Sequence, residues 1–119
     1  MKLVISSEGP EPTDRVDPRF GRARYLIRYD SAAESYVAID NSPQVNAPQG
    51  AGIQAAQKVA ELGANALLTG HCGPKAFDVL SEAGVTIYAG FEGTVLDAVS
   101  TWREGALEPL TGPDRKAHH

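Results

Sequence analysis

Between Leu67 and Phe77 the chain reads Leu67-Leu68-Thr69-Gly70-His71-Cys72-Gly73-Pro74-Lys75-Ala76-Phe77, and its only cysteine stands there beside one of its three histidines. An apolar strand stops at Gly70, a thiol and an imidazole follow, and Pro74 opens a helix, because proline suits the first helical position. Such a turn aims backbone N–H groups outward at a helix N-terminus, where negative charge is favoured. A thiol placed there loses its proton more readily, and thiolate suits copper or zinc. Two adjacent residues do not make a tetrahedral site, however, and no CxxC or HxxxH supplies further ligands. His71 and Cys72 are the candidate direct metal ligands; a buried, inert Cys72 is the alternative. Metal at this turn is expected to arrive inside a preassembled anion, such as a metal–sulfur species.

Two further segments carry glycine among residues able to meet an anion. One is Asp17-Pro18-Arg19-Phe20-Gly21-Arg22, the other Gln49-Gly50-Ala51-Gly52-Ile53. Glycine permits positive φ or close backbone approach, so N–H groups can converge on a ligand. Neither segment matches a P-loop or a dinucleotide fingerprint. Arg19 and Arg22 offer forked donors suited to multi-centre anions, with Arg15 and Arg24 nearby. The alternative is that they pair with Glu8, Glu11, Asp14 and Asp17 in a solvated loop. Nucleophilic catalysis is poorly supported: only His71 can act as a base near Ser6, Ser7, Ser42 and Thr69, and no carboxylate is spaced to orient it.

These segments need a scaffold that brings them together. Leu3 to Ser7 reads as a strand ended by Gly9-Pro10 and Pro12, followed by a long loop to Arg22. Ala23 to Tyr29 and Ser35 to Ile39 are expected antiparallel strands with one better-buried face. A second long loop, Asp40 to Gln49, precedes a helix from Gly50 through Leu62, with Ile53, Ala56, Val59 and Ala60 at core spacing. Strand Ala66 to Thr69, helix Lys75 to Glu82, strand Val85 to Ala89 and helix Thr94 to Arg103 follow, glycines closing the helices. Val95, Leu96, Ala98, Val99 and Trp102 form the expected core face of the last helix. The order is β-β-β-α-β-α-β-α, an α/β mixed five-stranded sheet with helices on its faces. Ligands in such sheets settle outside the carboxyl ends of the parallel strands. Residues 1–108 are expected to form one domain, with 109–119 a frayed tail; His118-His119 is either native or a tag remnant.

With 119 residues and 42% hydrophobic composition, the chain is expected to be globular. Its net charge of -4 argues against general nucleic-acid or anionic-membrane binding. A single cysteine, no signal-peptide pattern and no membrane-length apolar run make a cytoplasmic monomer the expectation.

The segments Val16 to Ala23, Gly50 to Gln57 and Leu68 to Phe77, together with Ala83 to Tyr88 and Gly93-Thr94-Val95, resemble the dinitrogenase iron–molybdenum cofactor-binding family of NifX and NifB C-terminal type. Within it the chain is most similar to the small stand-alone orange-protein branch. The resemblance implies a ribonuclease H-like fold and a non-enzymatic protein that binds, and passes on, a molybdenum-containing cluster. In that branch the implied ligand is a mixed molybdenum–copper sulfide held without covalent attachment. The implied contacts are Arg19, Phe20, Gly21 and Arg22; Gly50, Ala51, Gly52 and Ile53; and Gly70, His71, Cys72, Gly73, Pro74 and Lys75. Family binding does not depend on a cysteine at position 72. Phe20, Ile53 and Phe77 are expected to cover sulfur faces of the ligand. A regulatory or scaffold role through protein partners is the competing reading, with loop 40–49 and the tail as surfaces. Nuclease activity is not expected, since Leu3 to Ser7 and Ala66 to Thr69 hold none of the carboxylates that two-metal chemistry needs.

Overall fold

The computed structural model describes residues 1–42 and 50–112. Loop residues 43–49 and the terminal 113–119, where the partner surfaces and the His118-His119 question fall, lie outside the described residues. The strands are β1 (Lys2–Ser7), β2 (Tyr25–Asp30), β3 (Ser35–Asp40), β4 (Ala66–Leu68) and β5 (Thr86–Tyr88). The helices are α1 (Ala51–Glu61), α2 (Pro74–Glu82) and α3 (Val95–Arg103), and Phe20–Arg22 forms one 3-10 turn. The expected element order and the mixed five-stranded sheet are both present, in spatial order β3-β2-β1-β4-β5. β1 pairs antiparallel with β2 and parallel with β4, and β4 pairs parallel with β5.

Strand alternation builds two cores. Val4, Leu26 and Leu67 face one way, against Ala55, Ala56 and Val59 of α1 and Ala76 and Leu80 of α2. Leu3, Ile5, Ile27 and Leu68 face the other way, against Val95, Ala98 and Val99 of α3. Helices on both faces explain why β2 departs from the single buried face expected of it: Leu26 and Ile27 are both fully buried. The small residues of α1 let it lie close to the sheet and to α2.

Three expectations are corrected. Leu96 is exposed, because Val95, Ala98 and Val99 take the sheet-facing side of α3 and Leu96 falls about 100° round the helix from Val95. Ile53 leaves the core face and is only half-buried. The tail does not fray from residue 109: Leu110 packs on the α1/α2 core, and its N–H donates to Ile87 O at 2.7 Å along the edge of β5.

Candidate functional site

Because β1 and β4 run parallel and adjacent, Ser7 and Leu68 end on the same edge of the sheet. There Ser6 Oγ donates to the Asp17 carbonyl at 2.9 Å and lies 2.7 Å from Thr69 Oγ1. Ser6, Asp17 and Thr69 are buried, so this network ties the first long loop to two strand ends away from water. The loop is further stapled by Val16 N–H to Gly93 O and by Asp17 N–H to Ser6 O, both at 2.9 Å. Asp14 and Pro12 carbonyls accept from Val95 and Leu96 at the start of α3, also at 2.9 Å. A polar, proline-spaced segment is thereby fixed without an α-helix or a strand of its own.

From Asp17 the loop becomes a strap across the other two glycine turns. Arg19 and His71 pair in a parallel β-bridge, and Phe20 N–H donates to His71 O at 3.3 Å. Gly70 lets Pro18 lie against it: a Cβ on Gly70 would stand 2.5 Å from Pro18 Cα. Gly21 does the same at α1, where a Cβ would come within 2.8 Å of Gly52 Cα and N. Side chains at these contacts would push the strap off the turns. Asp17 holds the bend, accepting from the Arg19 N–H at 2.9 Å, with Arg19 Nε 3.8 Å from the same oxygen.

The three turns enclose a cavity of about 480 Å³, lined by Arg19, Phe20, Gly21, Arg22, Gly50, Ala51, Gly52, Ile53, His71, Gly73, Pro74, Lys75 and Ala76. That is far more than one bare ion occupies. Two helix N-termini border it. Neither α1 nor α2 has a side-chain cap or an acidic residue in its first turn, whereas α3, elsewhere, carries a full Thr94/Asp97 capping box. By helix geometry the first-turn N–H groups at residues 51–53 and 75–76 have no carbonyl one turn back within their own helix. Arg19, Arg22 and Lys75 add positive charge, and among the described residues no Asp or Glu lines the cavity. In a chain of net charge -4, this is a local reversal of sign.

The expected contact residues all line the cavity except Gly70 and Cys72. Gly70 is spent on the strap and borders a second cleft of about 370 Å³, which also touches His71. Cys72 takes the core position that was one of its two expected readings: it is fully buried in the α1/α2 cluster, and its Sγ donates to Gly73 O at 3.7 Å. Among the described residues no group of three His, Cys, Asp or Glu side chains is arranged to hold a metal ion. Phe77 packs on the core instead of lining the cavity, and Arg24 acts on Asp40. The Asp40 carboxyl is held below its usual range by hydrogen bonds from the side chain and backbone of Ser42, with Arg24 adding attraction. Ala76 was not expected in the wall; its place one residue after Lys75, in the first turn of α2, was the available signal.

A family model described as dinitrogenase iron-molybdenum cofactor matches residues 1–105. The apo orange protein of Desulfovibrio gigas is 40% identical, with 96% of each chain covered and a TM-score of 0.92. A Thermotoga protein with a NifB designation, solved by NMR, is 32% identical over 97% of each chain, with a TM-score of 0.83. An uncharacterized protein of Methanocaldococcus jannaschii is 26% identical over 110 residues, 91% of this chain and 90% of that one.

Proposed function

We propose, from the premise that this chain belongs to the dinitrogenase iron-molybdenum cofactor family, that its edge cavity holds a molybdenum-containing metal–sulfur cluster without covalent attachment. The form we favour is a mixed molybdenum–copper sulfide, the ligand implied by likeness to orange proteins. The protein is a binder and carrier in this reading, and the ribonuclease H-like sheet serves as scaffold only.

One observation carries the reading: three glycine turns, locked backbone to backbone, surround a cavity whose described residues bring two helix ends without side-chain caps, three cations and no carboxylate. Each helix end is worth about 0.3–2 kcal/mol toward an anion, depending on burial. Arg19 is well exposed, with a side-chain accessibility of 70%, so water screens much of its attraction. The walls of Phe20, Ala51, Ile53 and Ala76 compensate by excluding water and by offering soft, apolar contact to sulfide. A hard, bare cation would find the opposite of what it needs. Cargo held by amides and guanidiniums alone can leave without breaking a protein–metal bond, which suits transfer to an acceptor.

The test is reconstitution. Purified protein is mixed with tetrathiomolybdate and Cu(I), desalted, and assayed for molybdenum and copper. Retention of both metals in fixed ratio to protein, with a visible charge-transfer band, is expected. Metals that elute wholly with small molecules contradict the reading.

A further inference from the structure

The glycines around the cavity divide by what a Cβ would meet. Gly21 is blocked by the backbone of Gly52 at 2.8 Å, and Gly70 by that of Pro18 at 2.5 Å. Gly50 has φ +75, a conformation that L side chains rarely adopt. Each of these three has a reason within the fold to be glycine.

Gly52 has none among the described residues, and at Gly73 the fold asks only for an N-cap, which residues other than glycine also fill. Gly52 lies inside α1, and among the described residues a Cβ there would meet only Ala76 Cβ, at an ordinary 3.7 Å. Gly73 has φ -71 and ψ 169, extended backbone that alanine adopts before proline, and a Cβ there would meet no described residue within 4 Å. Alanine is the better helix former at 52. As N-cap of α2, position 73 takes serine, threonine, aspartate or asparagine at least about as well as glycine, and alanine less well; no side-chain cap exists there. Both residues line the cavity, one at each uncapped helix end.

We propose that Gly52 and Gly73 are specificity-determining residues, kept without Cβ so that a polynuclear metal–sulfur anion can lie against the amides of both helix ends at once. A methyl at either position holds a rigid, extended cluster away from one helix end. A mononuclear anion, being smaller, shifts and keeps more of its contacts. The proposal rests on the cluster-binding reading above and adds a size filter to it.

The experiment compares wild type, Gly52→Ala and Gly73→Ala by thermal melting, and titrates each with tetrathiomolybdate alone and with tetrathiomolybdate plus Cu(I). Gly52→Ala is expected to melt at or above wild type, and Gly73→Ala a few degrees below it, alanine being the poorer N-cap. In both, the ratio of polynuclear to mononuclear affinity falls at least tenfold. Folded variants that keep the wild-type ratio overturn the proposal, as does equal loss of both ligands. Melting many degrees below wild type overturns it too, since the fold would then need those glycines. Wild type retaining neither ligand defeats the cluster-binding reading itself, a separate result.

Discussion

Arg19 and His71 pair across a parallel β-bridge, so that a cation from the first long loop is tied main chain to main chain to the turn opening α2. The bridge makes one rim out of segments more than fifty residues apart in sequence. Its geometry depends on the glycines on either side of it.

Gly21→Ala forces a methyl against Gly52 Cα and N, where only 2.8 Å is available. Neither backbone can move away cheaply, since one is helix and the other is stapled. A loss of about 1–3 kcal/mol is expected, read as a melting temperature lowered by several degrees and as weaker cluster retention. A melt indistinguishable from wild type would show that the strap is loosely held.

Arg19→Ala with Arg22→Ala removes two of the three cavity cations. Affinity for the thiomolybdate–copper ligand is expected to fall about tenfold at low salt. The gap to wild type should narrow as ionic strength rises and the Debye length shrinks to about 8 Å or less. A salt-independent gap, or none, would remove the electrostatic part of the account.

Cys72→Ala leaves the cavity wall intact, because the thiol is buried behind it. Destabilisation of about 1 kcal/mol is expected from the lost packing, with metal stoichiometry unchanged in the folded variant. Loss of copper from a folded Cys72→Ala protein would restore the thiolate as a ligand.

Asp30 and Asp40 bear on pH dependence away from the cavity. Backbone N–H bonding from Ala32 lowers the Asp30 pKa first, and Ser42 lowers that of Asp40, both from an ordinary 3.8. A depressed carboxyl pKa contributes stability that is complete above the unfolded value and lost as pH falls through the folded one. Asp30→Asn with Asp40→Asn is therefore expected to flatten the decline in melting temperature below pH 3.8. An unchanged acid limb would show that these bonds persist in the unfolded chain or matter little.

Much of this site was legible because glycine, proline and arginine have few structural excuses when they cluster. Gly50-Ala51-Gly52 and Gly73-Pro74 mark helix starts by backbone rules alone, and parallel strands ending together place those starts on one rim. Burial of Cys72 was one of two open readings, since a residue between Gly70 and Gly73 can turn either way; the bridge to Arg19 goes with an outward His71 and a buried Cys72. Leu96 and Ile53 both carry core-type side chains at plausible helical spacing. Leu96 leaves the core because the Val95, Ala98 and Val99 side of α3 meets the sheet, and the strap leaves Ile53 facing a cavity. The docking of Leu110 beside Ile87 depends on one backbone bond that no local pattern encodes.

The proposed cavity holds one anion against three separate turns, through main-chain amides of two helix ends and the guanidiniums of the strap. The most direct measurement is amide chemical-shift mapping of 15N-labelled protein titrated with tetrathiomolybdate and Cu(I). The account expects Gly21, Gly52, Ile53, Lys75 and Ala76 to shift together at one stoichiometric end point. Shifts confined to a single turn, or centred on another face such as α3, would contradict it.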